Sequence, residues 1–183
     1  MNLNRPLLFL LSIFAAALSV TAADKPDAPR SGTNPADQLP PHISRLTYFG
    51  ERADFSHDGK KILFVEKTYG DAFEVDLSTK IIRPVTHHFY HGGFVRALYL
   101  ANGDILLSGS KTFDSDKPHL NRTENAELWI LDKSLTKPPV RLGEKCSEGP
   151  AVSRTKMRFA WTIVQSQYPD KLERAQSKIW MAD

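Results

Sequence analysis

The fold is decided by residues 55–65, which read FSHDGKKILFV. Asp58 and Gly59 form a turn pair, because glycine adopts positive φ without steric penalty and aspartate accepts hydrogen bonds from the backbone that follows it. Residues 62–65 are large and apolar, with β-branched and aromatic members that favour a buried strand. The stretch therefore predicts two antiparallel strands joined by a tight turn.

The same unit recurs along the chain. In the first copy, the alternation of residues 72–77 and the run 81–86 predict two further strands. Pro84 places the last of them at a sheet edge, because proline cannot donate a hydrogen bond to a strand ladder. Asn102 and Gly103 repeat the turn chemistry in a second copy. The three copies span approximately residues 52–86, 94–142 and 149–183.

The spacing of the copies indicates the architecture. Ile62, Ile105 and Phe159 occupy equivalent strands and are 43 and 54 residues apart. Four-stranded repeats of roughly 40–50 residues are typical of propeller blades, and no amphipathic helix of convincing length interrupts them. The fold class is therefore all-β, a partial β-propeller of about three four-stranded antiparallel blades. The alternative is a small sandwich or a stack of three meanders.

The N-terminal region predicts export. Arg5 precedes the apolar run 7–20, and small residues follow up to Ala23, as in a secretory signal peptide covering residues 1–23. The alternative, a membrane anchor, is disfavoured because this run is too short to span a bilayer comfortably. No later stretch approaches a membrane span. Residues 24–41 are rich in Pro, Asp, Ser and Gly and predict a flexible leader. We expect a secreted or periplasmic protein.

Composition excludes some functions. The formal net charge of the chain is +3, and its Lys and Arg residues are scattered, which does not favour nucleic acid as a partner. Cys146 is the only cysteine, so the chain cannot form an internal disulfide. We expect Cys146 to act as a small buried hydrophobe.

The first copy resembles the repeat of TolB-like (WD40-like) β-propellers. That family carries a Ser-Pro-Asp-Gly-Lys turn before a buried strand, and residues 56–60 match it with His57 in place of proline. Val85 and Thr86 stand where the family has Leu-Thr. The second and third copies are looser: residues 101–103 keep only the turn, and residues 153–156 lack the glycine.

The resemblance implies further expectations about blade closure. Residues 43–48 resemble the strand that closes such a ring by completing the last blade, yet their partner strands are not found in this sequence. We therefore expect a fragment or truncated product of a longer propeller, with residues 43–48 as an orphan strand. Open blade edges of this kind would expose apolar surface and favour self-association.

Three histidines are the candidate metal ligands. His87, His88 and His91 fall in the connection between the first two blades, on the ring face where propeller ligands usually bind. Imidazoles are common metal ligands, and two or three of these could hold one divalent ion. The alternative is an ordinary polar loop without a cofactor, because the three lack an adjacent carboxylate or thiolate. Metal-dependent polysaccharide lyases occur among TolB-like folds, but their sites cannot be matched to this chain residue by residue.

Three other residues are candidates on the loops. Asn121 begins an Asn-Arg-Thr glycosylation sequon in a long polar insertion, so we expect it to be exposed and, in a eukaryote, glycosylated. Tyr90 and Tyr168 lie in connections on the ring face where ligands are expected to bind, so they are candidates for ligand contact. The three tryptophans fall within strands, where blade packing is the expected role.

The function that these patterns favour is binding. The chain lacks the nucleophile elbow, zinc-protease, phosphate-loop and Cys-x-x-Cys motifs. We expect an interaction module for a protein or glycan partner, without catalysis of its own and without a cofactor. The alternative is a metal-assisted carbohydrate-active lyase or hydrolase of propeller fold, incomplete in this chain. A truncated product without function is the third interpretation.

Overall fold

The computed structural model describes residue 32 and residues 34–183, which fall into two units. The predicted signal peptide, residues 1–23, and half of the predicted leader, residues 24–31 and 33, lie outside the described residues. In the described part of the first unit, which ends at Ser44, a 3-10 helix covers Pro35–Asp37. The side chain of Asn34 accepts a hydrogen bond from the Ala36 amide at 3.0 Å.

The second unit, Arg45–Asp183, contains three antiparallel sheets whose neighbouring strands are consecutive in sequence. The third sheet has three strands and the others have four. This confirms the all-β partial propeller. The strands are β1 (Glu51–Phe55), β2 (Lys61–Val65), β3 (Ala72–Asp76), β4 (Ile82–Pro84), β5 (Phe94–Tyr99), β6 (Ile105–Gly109), β7 (Glu127–Leu131), β8 (Val140–Lys145), β9 (Ser147–Val152), β10 (Phe159–Val164) and β11 (Ser177–Ala182), with one short helix, α1 (Leu120–Thr123). Among the helices of the described residues, none has the length and apolar character to cross a membrane.

The turn between β1 and β2 forms as its sequence predicts. Gly59 has φ +67°, and the Asp58 carboxylate accepts hydrogen bonds from the Ser56 hydroxyl at 2.7 Å and the Lys60 amide at 3.1 Å. Gly103 repeats the positive φ in the second sheet. His57, the residue that replaces proline, donates from Nε2 to the Leu100 carbonyl oxygen at 2.7 Å and so ties this turn to the second sheet.

The sheets pack face to face around two apolar clusters. The cluster between the first and second sheets includes Leu63, Phe94 and Trp129. The cluster between the second and third sheets includes Leu128, Cys146 and Trp161. Cys146, Trp129 and Trp161 are buried, and the partly buried Trp180 packs against the second cluster, as their expected packing roles require.

The innermost strands β1, β5 and β9 lie side by side, and one ion pair joins the outer two sheets. The Arg154 guanidinium, in the turn after β9, contacts the Asp54 carboxylate on β1. Arg154 also donates to the Phe55 carbonyl oxygen at 2.9 Å. Asp54 accepts a further hydrogen bond from the Tyr99 amide on β5 at 2.9 Å. Residues from all three sheets therefore meet at one carboxylate.

The structure assigns no strand to residues 43–48, so the orphan strand does not form by itself, and its role in closing a longer ring stays a prediction. A strand requires a hydrogen-bonded neighbour, and none of the described strands pairs with these residues. Within the second unit, Leu46 packs instead on the outer face of the first sheet. The Phe49 ring lies 5.6 Å from that of Phe64 and 5.4 Å from that of Phe73, in edge-on contacts. Residues 45–49 thus cover this face as an irregular segment.

Candidate functional site

A cleft of about 450 Å³ opens between the first and second sheets. Antiparallel order brings the connections β2–β3, β4–β5 and β6–β7 to the same end of the sheets, which we call the loop face. The cleft is lined by residues 66–71 from the first connection, residues 91–93 from the second and Phe113 from the third. Three separate loops therefore build one site.

Two glycines allow these loops to approach closely. A Cβ on Gly93, which has φ +89°, would lie 2.2 Å from the Tyr69 carbonyl oxygen. A Cβ on Gly92 would lie 2.6 Å from the Ser110 carbonyl oxygen. Tyr69 itself has φ +70°, an uncommon conformation for a bulky residue. It is held there by a hydrogen bond of 3.0 Å from its amide to the Phe94 carbonyl oxygen.

A hydrogen-bonded Asp–His pair lies at the base of the cleft. Asp71 Oδ1 accepts hydrogen bonds from the Thr86 hydroxyl at 2.7 Å and from His91 Nε2 at 3.0 Å. Because the Gly93 amide donates to His91 Nδ1 at 3.0 Å, the imidazole carries its proton on Nε2. Partial burial alone would raise the pKa of Asp71, but the hydrogen bonds from Thr86 and His91 outweigh it and lower that pKa.

An aromatic pair forms the wall of the cleft. The ring centroids of Tyr69 and Phe113 are 5.4 Å apart and the rings are tilted by 55°. Phe113 is 47% exposed, so part of its ring remains open to a ligand. Aromatic faces beside hydrogen-bonding groups suit ligands that have both an apolar and a polar surface.

Among the described residues, no group of three or more His, Cys, Asp or Glu side chains could hold a metal ion. The three histidines therefore do not form a three-ligand site in this structure, and metal binding by two of them stays a prediction. His91 uses both ring nitrogens in the hydrogen bonds given above. His87 Nδ1 lies 3.4 Å from Asp71 Oδ2. His88 points elsewhere, because its Nε2 donates to the Leu135 carbonyl oxygen at 3.0 Å. The backbone directs neighbouring side chains of this loop to different partners.

The two candidate tyrosines differ. Tyr90 is 84% exposed in the β4–β5 connection and is open to a partner. Tyr168 is half-buried: its hydroxyl donates to Glu144 at 3.0 Å and accepts from the Lys145 amide at 3.0 Å. Its ring lies 5.6 Å from that of Trp180. Tyr168 therefore holds the β10–β11 connection against the second and third sheets.

The expected exposure of Asn121 is wrong. Its side chain, on α1, is fully buried. The side-chain amide nitrogen donates to the carbonyl oxygens of Asp114 at 2.9 Å and Pro118 at 3.1 Å, and its oxygen accepts from the Asp114 amide at 2.9 Å. A glycan would replace one of the two N–H groups that make these bonds and would need space that a fully buried side chain does not have, so the residue organises the insertion in this structure.

Sequence reasoning missed the residues that build the cleft, namely Tyr69, Asp71 and Phe113. None belongs to a chemical motif: Tyr69 and Asp71 lie in the short β2–β3 connection, and Phe113 lies in the distant β6–β7 connection. The available signal was positional: all three lie in connections that the strand order brings to the loop face. The paired glycines at 92–93 were a second signal, because Gly-Gly in a connection permits close backbone approach.

Three antiparallel sheets with adjacent innermost strands define the chain as a partial β-propeller. Comparison with solved structures shows which kind of propeller the fold resembles. A protein from Agrobacterium tumefaciens assigned as TolB matches with a TM-score of 0.53 at 13% identity, over 75% of this chain and 47% of that one. This likeness shows a TolB-like propeller fold, and the chain spans about half the length of that protein.

Two other solved structures are more distant. TolB from Acinetobacter baumannii has a TM-score of 0.48 at 18% identity, over 74% of this chain and 30% of its own. A luciferin-regenerating enzyme has a TM-score of 0.38 at 14% identity, over 68% of this chain and 41% of its own. No protein-family model and no curated protein matches the sequence.

Proposed function

We propose that the protein is an exported interaction module that binds a protein or glycan partner through its loop face, without catalysis of its own. The observation that carries this proposal is the cleft in which the exposed Phe113 ring stands beside Tyr69 and the Asp71–His91 pair. Loops positioned by a rigid scaffold commonly carry recognition. Export rests on the signal-peptide pattern of residues 1–23.

The alternative of a metal-assisted lyase or hydrolase gains no support from the described residues. A metal site needs several ligands that converge on one point. His91 is engaged on both ring nitrogens, and His88 bonds a backbone carbonyl of the second sheet. Binding is therefore the function that the geometry supports best.

A direct test compares two exposed phenylalanines. Phe113 lies in the cleft, whereas Phe55, which is 55% exposed, ends β1 at the opposite end of the sheets. The purified protein, screened on immobilised oligosaccharides and peptides, is expected to bind at least one ligand. Phe113→Ala should weaken that binding about tenfold, the loss of roughly 1.4 kcal/mol, and Phe55→Ala should leave it unchanged. Equal affinities for the two variants would contradict the proposal.

We also propose self-association through the third sheet. Its edge strand β11 exposes Ile179 at 78% and Met181 at 60%. Unpaired edges with apolar side chains favour contact with another chain. Sedimentation velocity should show concentration-dependent dimers that the double variant Ile179→Lys, Met181→Lys abolishes. A parent protein that stays monomeric at high concentration would exclude this contact.

A further inference from the structure

A second cleft, at the end of the sheets opposite the loop face, is lined by charged side chains. It has a volume of about 340 Å³ and lies between the first and second sheets. Lys61, Arg83 and Lys133 contribute positive charges to its lining, and Asp58 and Glu74 contribute negative charges. The cleft therefore carries a formal excess of one positive charge.

Two of these cations share one buried carboxylate. Glu74 is 6% exposed, and its Oε1 accepts hydrogen bonds from Lys61 Nζ at 3.0 Å and Arg83 Nε at 3.0 Å. Its Oε2 accepts the Tyr99 hydroxyl at 2.6 Å. Burial alone would raise the pKa of Glu74, but the hydrogen bonds from Tyr99 and Lys61 and the charge of Arg83 lower it. The carboxylate is thus ionised, and its single charge neutralises only one of its two cations.

The ammonium group of the third cation, Lys133, makes no ion pair within the described residues, although the Asp104 and Asp132 carboxylates lie near this residue. Lys133 Nζ lies 3.3 Å from the Asn102 carbonyl oxygen, which is a weak, neutral acceptor. The other lining carboxylate, Asp58, is occupied by the turn, where it accepts from Ser56 and Lys60. The positive excess therefore belongs to the lining of the cleft, where Lys133 Nζ contacts a neutral carbonyl oxygen.

The walls of the cleft are fixed in place. His57 anchors the β1–β2 turn to the second sheet through its hydrogen bond of 2.7 Å to Leu100. On the facing side, the Lys133 amide donates to the Asp104 carboxylate at 3.0 Å. A cleft with fixed walls loses little conformational entropy when it binds a ligand.

We propose that this cleft binds a tetrahedral oxyanion, a phosphate or sulfate group, either free or carried on a molecule about the size of one sugar. Arginine and lysine bind such groups through charge-assisted hydrogen bonds. The cleft volume lies near the lower end of the range for small-molecule sites, which is about 300–1,000 Å³. This site is independent of the loop-face cleft, because the two lie at opposite ends of the sheets.

The first experiment titrates ligands into the full chain by calorimetry at low ionic strength. Inorganic phosphate, inorganic sulfate, glucose 6-phosphate and glucose are the probes. We expect the anions to bind and glucose not to bind. If glucose 6-phosphate binds more tightly than inorganic phosphate, the site recognises a phosphate group attached to a small molecule. If inorganic phosphate binds more tightly, the site recognises the free ion. Failure of every anion to bind would overturn the proposal.

Two charge-removing variants test whether the anion binds in this cleft. Lys133→Gln should weaken anion binding about fivefold, roughly one charge-assisted contact at an exposed position. Lys178→Gln, an equal change of charge on the exposed strand β11, is the matched control and should leave binding unchanged. Equal weakening by both substitutions would show that only the net charge matters and would refute the site.

The substitution Glu74→Gln should strengthen anion binding, whereas Lys133→Gln should weaken it. Glu74→Gln leaves Lys61 and Arg83 without their carboxylate, so anion affinity should rise at least tenfold although the protein becomes less stable. Phosphate should then raise the melting temperature of this variant more than that of the parent at matched ionic strength. If Glu74 only stabilises the fold, phosphate will not restore the lost stability. Phe113→Ala, which tests the loop-face cleft, should leave phosphate binding intact.

Discussion

Removal of the Arg154 guanidinium should measure how strongly the third sheet is tied to the first. Breaking a fully buried ion pair costs about 3–5 kcal/mol, because the remaining charge stays buried. Here the Asp54 side chain is 5% exposed but that of Arg154 is 50% exposed, so solvent screens part of the interaction. Asp54 also keeps its hydrogen bond from the Tyr99 amide. We therefore expect Arg154→Met to lower the free energy of unfolding by about 2 kcal/mol.

The measurement is a double-mutant cycle. Arg154→Met, Asp54→Asn and the double variant are unfolded in urea and followed by tryptophan fluorescence. The coupling free energy between the two positions should be about 1 kcal/mol or more. Arg174→Met, at an exposed arginine of the β10–β11 connection, controls for the loss of one positive charge. A coupling free energy within about 0.5 kcal/mol of zero would refute the reasoning.

Three further outcomes follow from the fold. Gly93→Ala should lower the melting temperature and remove loop-face binding, because its Cβ would lie 2.2 Å from the Tyr69 carbonyl oxygen; an unchanged melt would contradict this. The pKa of Glu74 in the folded protein is lowered. The ionised carboxylate therefore contributes to the free energy of unfolding above the unfolded pKa of about 4.3, and this contribution is lost as pH falls through the folded pKa. The urea concentration at the midpoint of unfolding should therefore fall as the pH is lowered from neutral, and this fall should be smaller in Glu74→Gln than in the parent. Burial raises the pKa of Cys146 to about 12, so a thiol reagent should label it at neutral pH only after denaturant is added.

The parts of the fold that depend on local chemistry could be predicted from the sequence. The turn at Asp58 and Gly59 is specified by residues adjacent in the chain, and the strand that follows shows its apolar pattern directly. The edge position of β4 followed from the missing amide of Pro84. The predicted fourth strand was nevertheless too long: β4 ends at Pro84, and Val85 adds one further hydrogen bond to Ala72.

The parts that depend on tertiary contacts could not be predicted in the same way. Asn121 lies in a polar segment, and only the folding of that segment around its side chain buries it. His87, His88 and His91 are close in sequence, but their ring directions are set by Asp71 and Leu135, which belong to other connections. Residues 43–48 alternate like a strand, yet alternation describes a side-chain pattern and does not supply a pairing partner.

The cover that Leu46 and Phe49 provide on the first sheet makes the two flanks of the molecule unequal. A subunit with an apolar association surface on each of two opposite sides could add copies head to tail and form a filament. In the proposed association through β11, both copies would contribute the same surface, and a contact of that kind closes as a twofold pair. The segment before β1 would then favour dimers over longer assemblies, because it covers part of the outer face of the first sheet.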